Sequence, residues 1–439
     1  MHSRRREFLI TSGALLAMPF IPRTSYAADV DVIIIGAGAA GLAAARQFMD
    51  AGISFKLIEA RRRIGGRAYT DTHTFGVPFD RGCWLQHSAH QNPWVPFATR
   101  HGFDIVPMPT DGKRFWIGSR EATRTEYEAI YSTQMEIRAA FSKADMLNQD
   151  ISAQQAIEGI AINEWVPRVK RWFWSGRDFE KVSTADWWNS GGGPNYHCRA
   201  GYGTLVSKFG QAIPVTFENP VTSIDWSGKG VRVETSNGSL KARYCIVTVS
   251  SGVLASGSIH FKPVLPQWKR DAIEAVPMAN AIIIGLQFQQ PQILPAEQNN
   301  WFSYWTDDGR GLSFASNVGS WGIQRGATRG HLATELAAAG PQATIDYAIE
   351  GLKSTLGSKI EQSFIKGWVS NWVVDPFARG TWSSALPGKA HKRGDLRRPL
   401  GGTVLFAGEA CHEFMYSTCH GAYLSGTEVA LQVASKLSL

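Results

Sequence analysis

The sequence predicts an α/β fold built on a Rossmann-like parallel sheet, and three observations carry that expectation. A continuous β-branched run, Val30 to Ile35, ends in the glycine-rich turn Gly36-Ala37-Gly38-Ala39-Ala40-Gly41. A strong helix-forming stretch from Leu42 to Met49 follows, closed by Gly52, and Ser54 to Ile58 then reads as a second strand ending in Glu59. Far along the chain, Gly402 to Glu409 repeats the pattern of a short strand running into glycine and an acid, and Cys419 to Lys436 reads as a helix with small residues on one face.

The first unit is the most specific. Apolar residues without alternation mark a strand covered on both faces. Gly36 permits the tight turn, Gly38 lets backbone approach a pyrophosphate, and Gly41 lets helix and strand pack closely. Ala40 lies in the same turn. The helix N-terminus offers free N–H groups and the positive end of its dipole to phosphates. Glu59 lies 18 residues beyond Gly41, where a ribose-binding carboxylate is expected. The unit therefore predicts a dinucleotide site.

The residues after Glu59 favour FAD over a nicotinamide. Ala60-Arg61-Arg62-Arg63-Ile64-Gly65-Gly66-Arg67 places cations beside flexible backbone, suited to a second pyrophosphate contact by Arg61, Arg63 and Arg67. Arg62 fits a solvated loop as well. The second turn, Gly408-Glu409 followed by the last helix, can cradle a ribityl chain and flavin.

Composition narrows the class. The chain has 439 residues, 44% hydrophobic and 19% charged, an ordinary globular balance that excludes a disordered chain. No apolar run reaches the ~18 residues of a membrane span. The formal net charge of +8 would permit a nucleic-acid partner, but four of the cations, Arg4, Arg5, Arg6 and Arg23, fall in the first 27 residues. Those residues read as a signal peptide: a charged start, a short apolar stretch from Phe8 to Ile21, and Ser25-Tyr26-Ala27 as a cleavage site. Arg5-Arg6-Glu7-Phe8-Leu9 resembles a twin-arginine signal, with Arg4 where that pattern prefers Ser or Thr. Periplasmic or secreted export of a folded protein carrying a non-covalent cofactor is the expectation, with no nucleic-acid partner. Five cysteines without a CxxC pair argue against a disulfide framework and against a zinc site.

Taken together, the motifs resemble the flavin-containing amine oxidases, the family of monoamine and polyamine oxidases. Glu59 to Arg67 resembles their EAR-x-R-x-GGR signature, and Phe406-Ala407-Gly408-Glu409 with His420 to Gly426 resembles the closing motif of the polyamine-oxidase branch. Asp80 to Leu85, with Gly82, Cys83 and Trp84, resembles the segment passing the flavin ring. Asn219 to Ile224 resembles the strand whose Val221 backbone meets adenine, and Trp372 to Ser383 resembles the strand bearing a substrate-facing aromatic. The matches run in family order from residue 30 to 430.

The resemblance implies an FAD domain assembled from three segments, 28–95, 200–265 and 395–439, and an α+β substrate domain with a mixed sheet from 96–199 and 266–394. Residues 120–190 read as mostly helical and Met278 to Phe288 as a strand. The implied chemistry is hydride transfer from a primary or secondary amine to flavin N5, giving an imine that hydrolyses to aldehyde or ketone. Trp382 takes one position of an aromatic cage, and its partner position falls on Thr418, next to Cys419. Ile283 stands where many relatives carry a lysine linked to oxygen use, so the acceptor is O2 or a redox protein or quinone. Thr381 stands where monoamine oxidases bond FAD covalently, and Gln86 where polyamine oxidases often place an acid or His. His87, His90 and Glu413 are nearby alternatives. A desaturase or L-amino-acid oxidase of the same fold is the alternative; the amino-acid oxidase should present a cavity arginine for the substrate carboxylate, for which Arg379 and Arg325 are available. A redox-inactive flavin-binding protein is the third reading.

Overall fold

The computed structural model describes residues 28–438 apart from 161–163, 171–175, 189–191 and 307–310. The expected signal peptide, residues 1–27, lies outside the described residues.

Two large sheets organise the chain. The first has eight strands, in the order Val215–Thr216, Phe55–Ile58, Val30–Ile35, Gly238–Val247, Val231–Thr235, Val221–Asp225 and His260–Lys262, with Val404–Phe406 also paired to Gly238–Val247. Val30–Ile35 is parallel to both neighbours, with Ile33 opposite Lys56 on one side and Cys245 on the other. That central position explains its unbroken apolar run: Val32, Ile33 and Ile34 have no exposed surface.

On one face, Leu42 and Phe48 of the Ala39–Asp50 helix and Val429 and Val433 of the Cys419–Leu437 helix cover Val32 and Ile34. Small residues bring these helices together, because a Cβ on Gly426 would lie 2.0 Å from the Ala40 carbonyl oxygen. On the other face Ile33 and Ile35 meet Ile224, Val233 and Phe261. Ile35, Val247 and Phe406 lie in register. The glycine-rich turn and the Gly408-Glu409 turn therefore emerge side by side at the carboxyl ends of the strands, where open α/β sheets bind ligands.

The second sheet has seven strands, in the order Phe364–Val369, Ala281–Phe288, Ile323–Arg329, Gly311–Ala315, Trp301–Trp305, Arg114–Ile117 and Arg120–Glu121. It is mixed, because Trp301–Trp305 and Arg114–Ile117 run parallel while the other pairs are antiparallel. One face packs Ile284, Leu286, Phe302 and Phe314 against the Gly330–Ala339 and Pro341–Leu356 helices. A helical layer flanks the sheet. Its longest member, Arg124–Met146, starts at a capping box formed by Thr123 and Glu126 and buries Ile130, Ile137 and Phe141.

Two expectations change. Helix Gln267–Ala275, which a boundary at residue 266 gives to the substrate domain, packs Ala272 and Ile273 into the core of the eight-stranded sheet. Trp382 does not lie on a strand. Its segment is irregular and held by backbone pairing: Ala279 N donates to Trp382 O at 2.6 Å and Thr381 N to Ala279 O at 3.0 Å. Gly380, with φ +133, allows the chain to turn there.

Candidate active site

A cavity of about 1390 Å³ runs from the glycine-rich turn to the inner face of the seven-stranded sheet. Gly36, Gly38 and Ala40 line its near end; Gly41 does not. A Cβ on Gly41 would lie 1.9 Å from the Gly36 carbonyl oxygen, so its role is close packing, whereas a Cβ on Gly38 would meet nothing within 4 Å. The space over Gly38 is cavity. No side chain caps the Ala39–Asp50 helix, which leaves its first N–H groups to a ligand. Glu59 is buried, accepting from Ala37 N through Oε2 at 2.8 Å and from Arg61 N through Oε1 at 2.9 Å. The carboxylate is thereby fixed at the lip of the turn.

The arginine run divides. Ala60, Arg61, Gly66 and Arg67 line the cavity, but Arg63 does not. Arg63 instead donates to the carbonyls of Ile64 and Gly66 and stacks on Tyr69 at 4.0 Å, so its expected phosphate role is corrected to one of holding the loop. Arg62 is exposed and paired with Glu218. Arg61 pairs with Asp375 and lies 5.3 Å from the Phe377 ring centroid. Arg67 Nη1 donates to Glu409 Oε1 at 2.8 Å and to Thr381 O at 2.9 Å.

Farther in, Gly82, Cys83, Trp84, Val221, Gly408, Glu409, Thr418, Cys419, Trp382 and Ile283 all line the same cavity. Hydrogen bonding to Cys419 and burial push the Cys83 thiol well up, so it stays protonated. Ile283 is 7% exposed and packs with Phe75, Phe79 and Ile323. Thr418 is spent on capping the last helix, accepting from Gly421 N at 3.0 Å while donating to Met415 O. It is not a second wall of a cage.

Tyr416 is a further aromatic of the lining. Ser417 Oγ donates to Ser383 O at 2.6 Å, which ties the residue after Tyr416 to the residue after Trp382, and both rings line the cavity. Arg393 lies 3.8 Å over the Tyr416 ring. Sequence reasoning missed Tyr416, although its place two residues before Thr418 in the closing motif was a usable signal. Trp187 and Trp301 also line the cavity, with no local signal to mark them. Of the alternatives near Gln86, His87 lines the cavity, while Gln86, His90 and Glu413 do not. Arg379 and Arg325 both line it.

The family model for flavin containing amine oxidoreductase matches residues 39–190 and 183–434. The chain belongs to this family. Polyamine oxidase 2 of Arabidopsis thaliana is 29% identical to this amine oxidoreductase over 439 residues, covering 91% of the chain and 87% of that protein. Human lysine-specific histone demethylase 2 is 27% identical over 478 residues; the match takes in 98% of this chain and 56% of the demethylase. Cyclohexylamine oxidase from Brevibacterium oxydans IH-35A shares the fold, with a TM-score of 0.76 and 21% identity over 94% of this chain and 100% of that one.

The family uses FAD, and the protein is an oxidoreductase. The cavity fits that cofactor on its own evidence. Gly38 opens onto free space, the helix behind it is uncapped, and Asn219 Oδ1 is buried on the cavity wall without a hydrogen-bond partner among the described residues. Glu59, Arg67, Val221 and Glu409, which line the cavity, are the residues that would hold it.

Proposed function

We propose that this amine oxidoreductase oxidises a small or medium primary or secondary amine to an imine, which water hydrolyses to an aldehyde or ketone. The observation that supports this reading most directly is that Trp382, Tyr416 and Ile283 line the same cavity that carries the dinucleotide turn. When bound, FAD supplies the hydride acceptor. The chain supplies orientation and a dry, apolar surface. Trp382 offers a ring face that attracts an amine nitrogen carrying partial positive charge, while Tyr416, with Arg393 over its ring, adds apolar lining. Low polarity at the same place favours the neutral, oxidisable amine over its ammonium form.

Ile283 leaves the wall beside this space without the lysine that many relatives carry, and this favours a redox protein or quinone over oxygen as acceptor. Thr381 Oγ1 donates to Ala279 O at 2.8 Å, and as a hydroxyl rather than a thiol it favours non-covalent FAD. Residues 1–27 would export the loaded, folded protein through a twin-arginine pathway. Anaerobic titration against an amine panel tests the chemistry: bleaching of the flavin by at least one amine is expected, and bleaching by none would overturn it. Fast peroxide formation on readmitting air would sink the acceptor reading. Replacing Arg5 and Arg6 by lysine should abolish export of the folded protein; unchanged export would dismiss the twin-arginine assignment.

A further inference from the structure

The charges around the inner cavity point to a substrate class. Two acidic side chains line the cavity among the described residues, Glu59 and Glu409, and both belong to the cofactor end. Glu59 is engaged by two backbone N–H groups, and Glu409 by Arg67, Ser383 and Ser417. Toward the substrate end the lining is cationic, with Lys113, Arg138 and Arg325. Among the described residues, no carboxylate there is placed to receive a second ammonium group.

Arg325 is the decisive member. The cavity wall built by the seven-stranded sheet presents Ala281, Ile283, Trp301, Ala327 and Arg325, a surface with one charge on it. Register places Arg325 opposite Gly285 and Ala315, with the Phe75 and Phe79 rings packed over Gly285. Arg325 is 3% exposed, stacks 4.6 Å from the Trp84 ring and donates from Nη2 to Gly82 O at 2.9 Å. Its Nε has no partner, and no carboxylate lies within ion-pairing distance among the described residues. The nearest opposing charge, Asp80, is taken by Thr70 Oγ1 and by the N–H groups of Tyr202 and Gly203. A buried guanidinium without a counter-ion is costly, and a ligand carboxylate in a forked hydrogen-bond geometry removes that cost.

We propose that Arg325 receives a substrate carboxylate, so that the amine oxidised is an amino acid or another aminocarboxylate and not a diamine or polyamine. The inference rests on the amine-oxidising reading above. Matched pairs test it on the FAD-loaded protein: phenethylamine against phenylalanine, and benzylamine against 4-(aminomethyl)benzoate, with spermidine as the polycation. In at least one pair the carboxylate member should reduce the flavin with kcat/KM ~10–100-fold higher, the range of one charged hydrogen-bonded contact. Arg325→Gln should raise KM for that member by a similar factor relative to its neutral partner, so that the preference within the pair is lost. Benzoate, which cannot be oxidised, should bind to the native protein by calorimetry and not to Arg325→Gln. Faster reaction with spermidine or with both neutral amines, together with no benzoate binding, overturns the proposal. If no compound bleaches the flavin, the amine-oxidising reading fails, and benzoate binding alone decides whether Arg325 is an anion site. Should Arg325→Gln fail to fold, the comparison within each pair on the native protein stands as the test.

Discussion

Arg67 donates to Glu409 Oε1 at 2.8 Å, clamping the loop after the second strand to the turn before the last helix. Glu409 Oε2 also accepts from Ser383 Oγ at 2.6 Å and Ser417 N at 3.0 Å. Ser383 Oγ in turn accepts from Arg393, which holds Asp186 through two contacts of 2.6 and 3.0 Å. One buried network thus joins the cofactor end of the cavity to the segments carrying Trp382 and Tyr416.

Burial pushes the Glu409 carboxyl up, but Arg67, Ser383 and Arg393 together hold it below the usual 4.5. A depressed carboxylate stabilises the fold above its ordinary pKa and loses that contribution as pH falls below about 4.5. Glu409→Gln should therefore cost about 1.5–3 kcal/mol at neutral pH. It should also flatten the loss of stability in acid, as read by urea unfolding at several pH values. An unchanged acid limb would show that Glu409 does not carry it.

Gly38 and Gly41 separate cofactor binding from packing. Gly41→Ala drives a methyl into the Gly36 carbonyl and should lower apo stability by about 1–3 kcal/mol. Gly38→Ala meets nothing in the protein and should leave apo thermal unfolding unchanged while reducing FAD retained on purification. Equal effects of both on apo stability would contradict this division.

Trp382 and Tyr416 should differ in what they contribute. Trp382→Ala should retain FAD and slow anaerobic flavin reduction on the order of 100-fold, the scale of a misplaced substrate. The buried Tyr416 hydroxyl has no hydrogen-bond partner among the described residues, so Tyr416→Phe keeps the ring beneath Arg393 and should leave reduction within about threefold of native. Stopped-flow reduction with one substrate decides both.

Lys269 is fully buried and donates to the carbonyls of Asp395, Leu396 and Arg398 at 2.6–3.0 Å, closing the end of the Lys392–Arg397 helix. Lys269→Met leaves those carbonyls without their donor and should cost about 1–3 kcal/mol. Burial pushes Lys269 down to about 7, so from there to 10.5 the unfolded chain binds more protons than the folded one. Native stability should rise through that window relative to Lys269→Met; parallel pH curves would refute the titration.

How much was readable follows the range of the contacts. Val30 to Glu59 could be assigned residue by residue, because the turn, the helix and the acid lie in one short unit with a fixed geometry. Most of the lining was also readable, through motifs whose spacing carries the resemblance. Arg63 fits its motif in residue type while its side chain is consumed by neighbouring backbone, and Thr418, which stands where an aromatic is expected, caps the last helix instead. Helix Gln267–Ala275 follows the expected boundary at residue 266 yet packs on the eight-stranded sheet, because local sequence does not say which sheet a helix covers.

The α/β class, the dinucleotide turn and the FAD expectation came from the sequence, since glycine spacing and apolar runs encode local backbone geometry directly. The side-chain partners came only from the folded chain. Arg61 finds Asp375 and Arg67 finds Thr381, each across 314 residues, and Arg325 reaches Gly82 across 243. No local pattern encodes such pairs, because each depends on how the two sheets present their edges to one cavity. Whether a buried arginine is neutralised or left to meet a ligand is therefore a property of the tertiary structure.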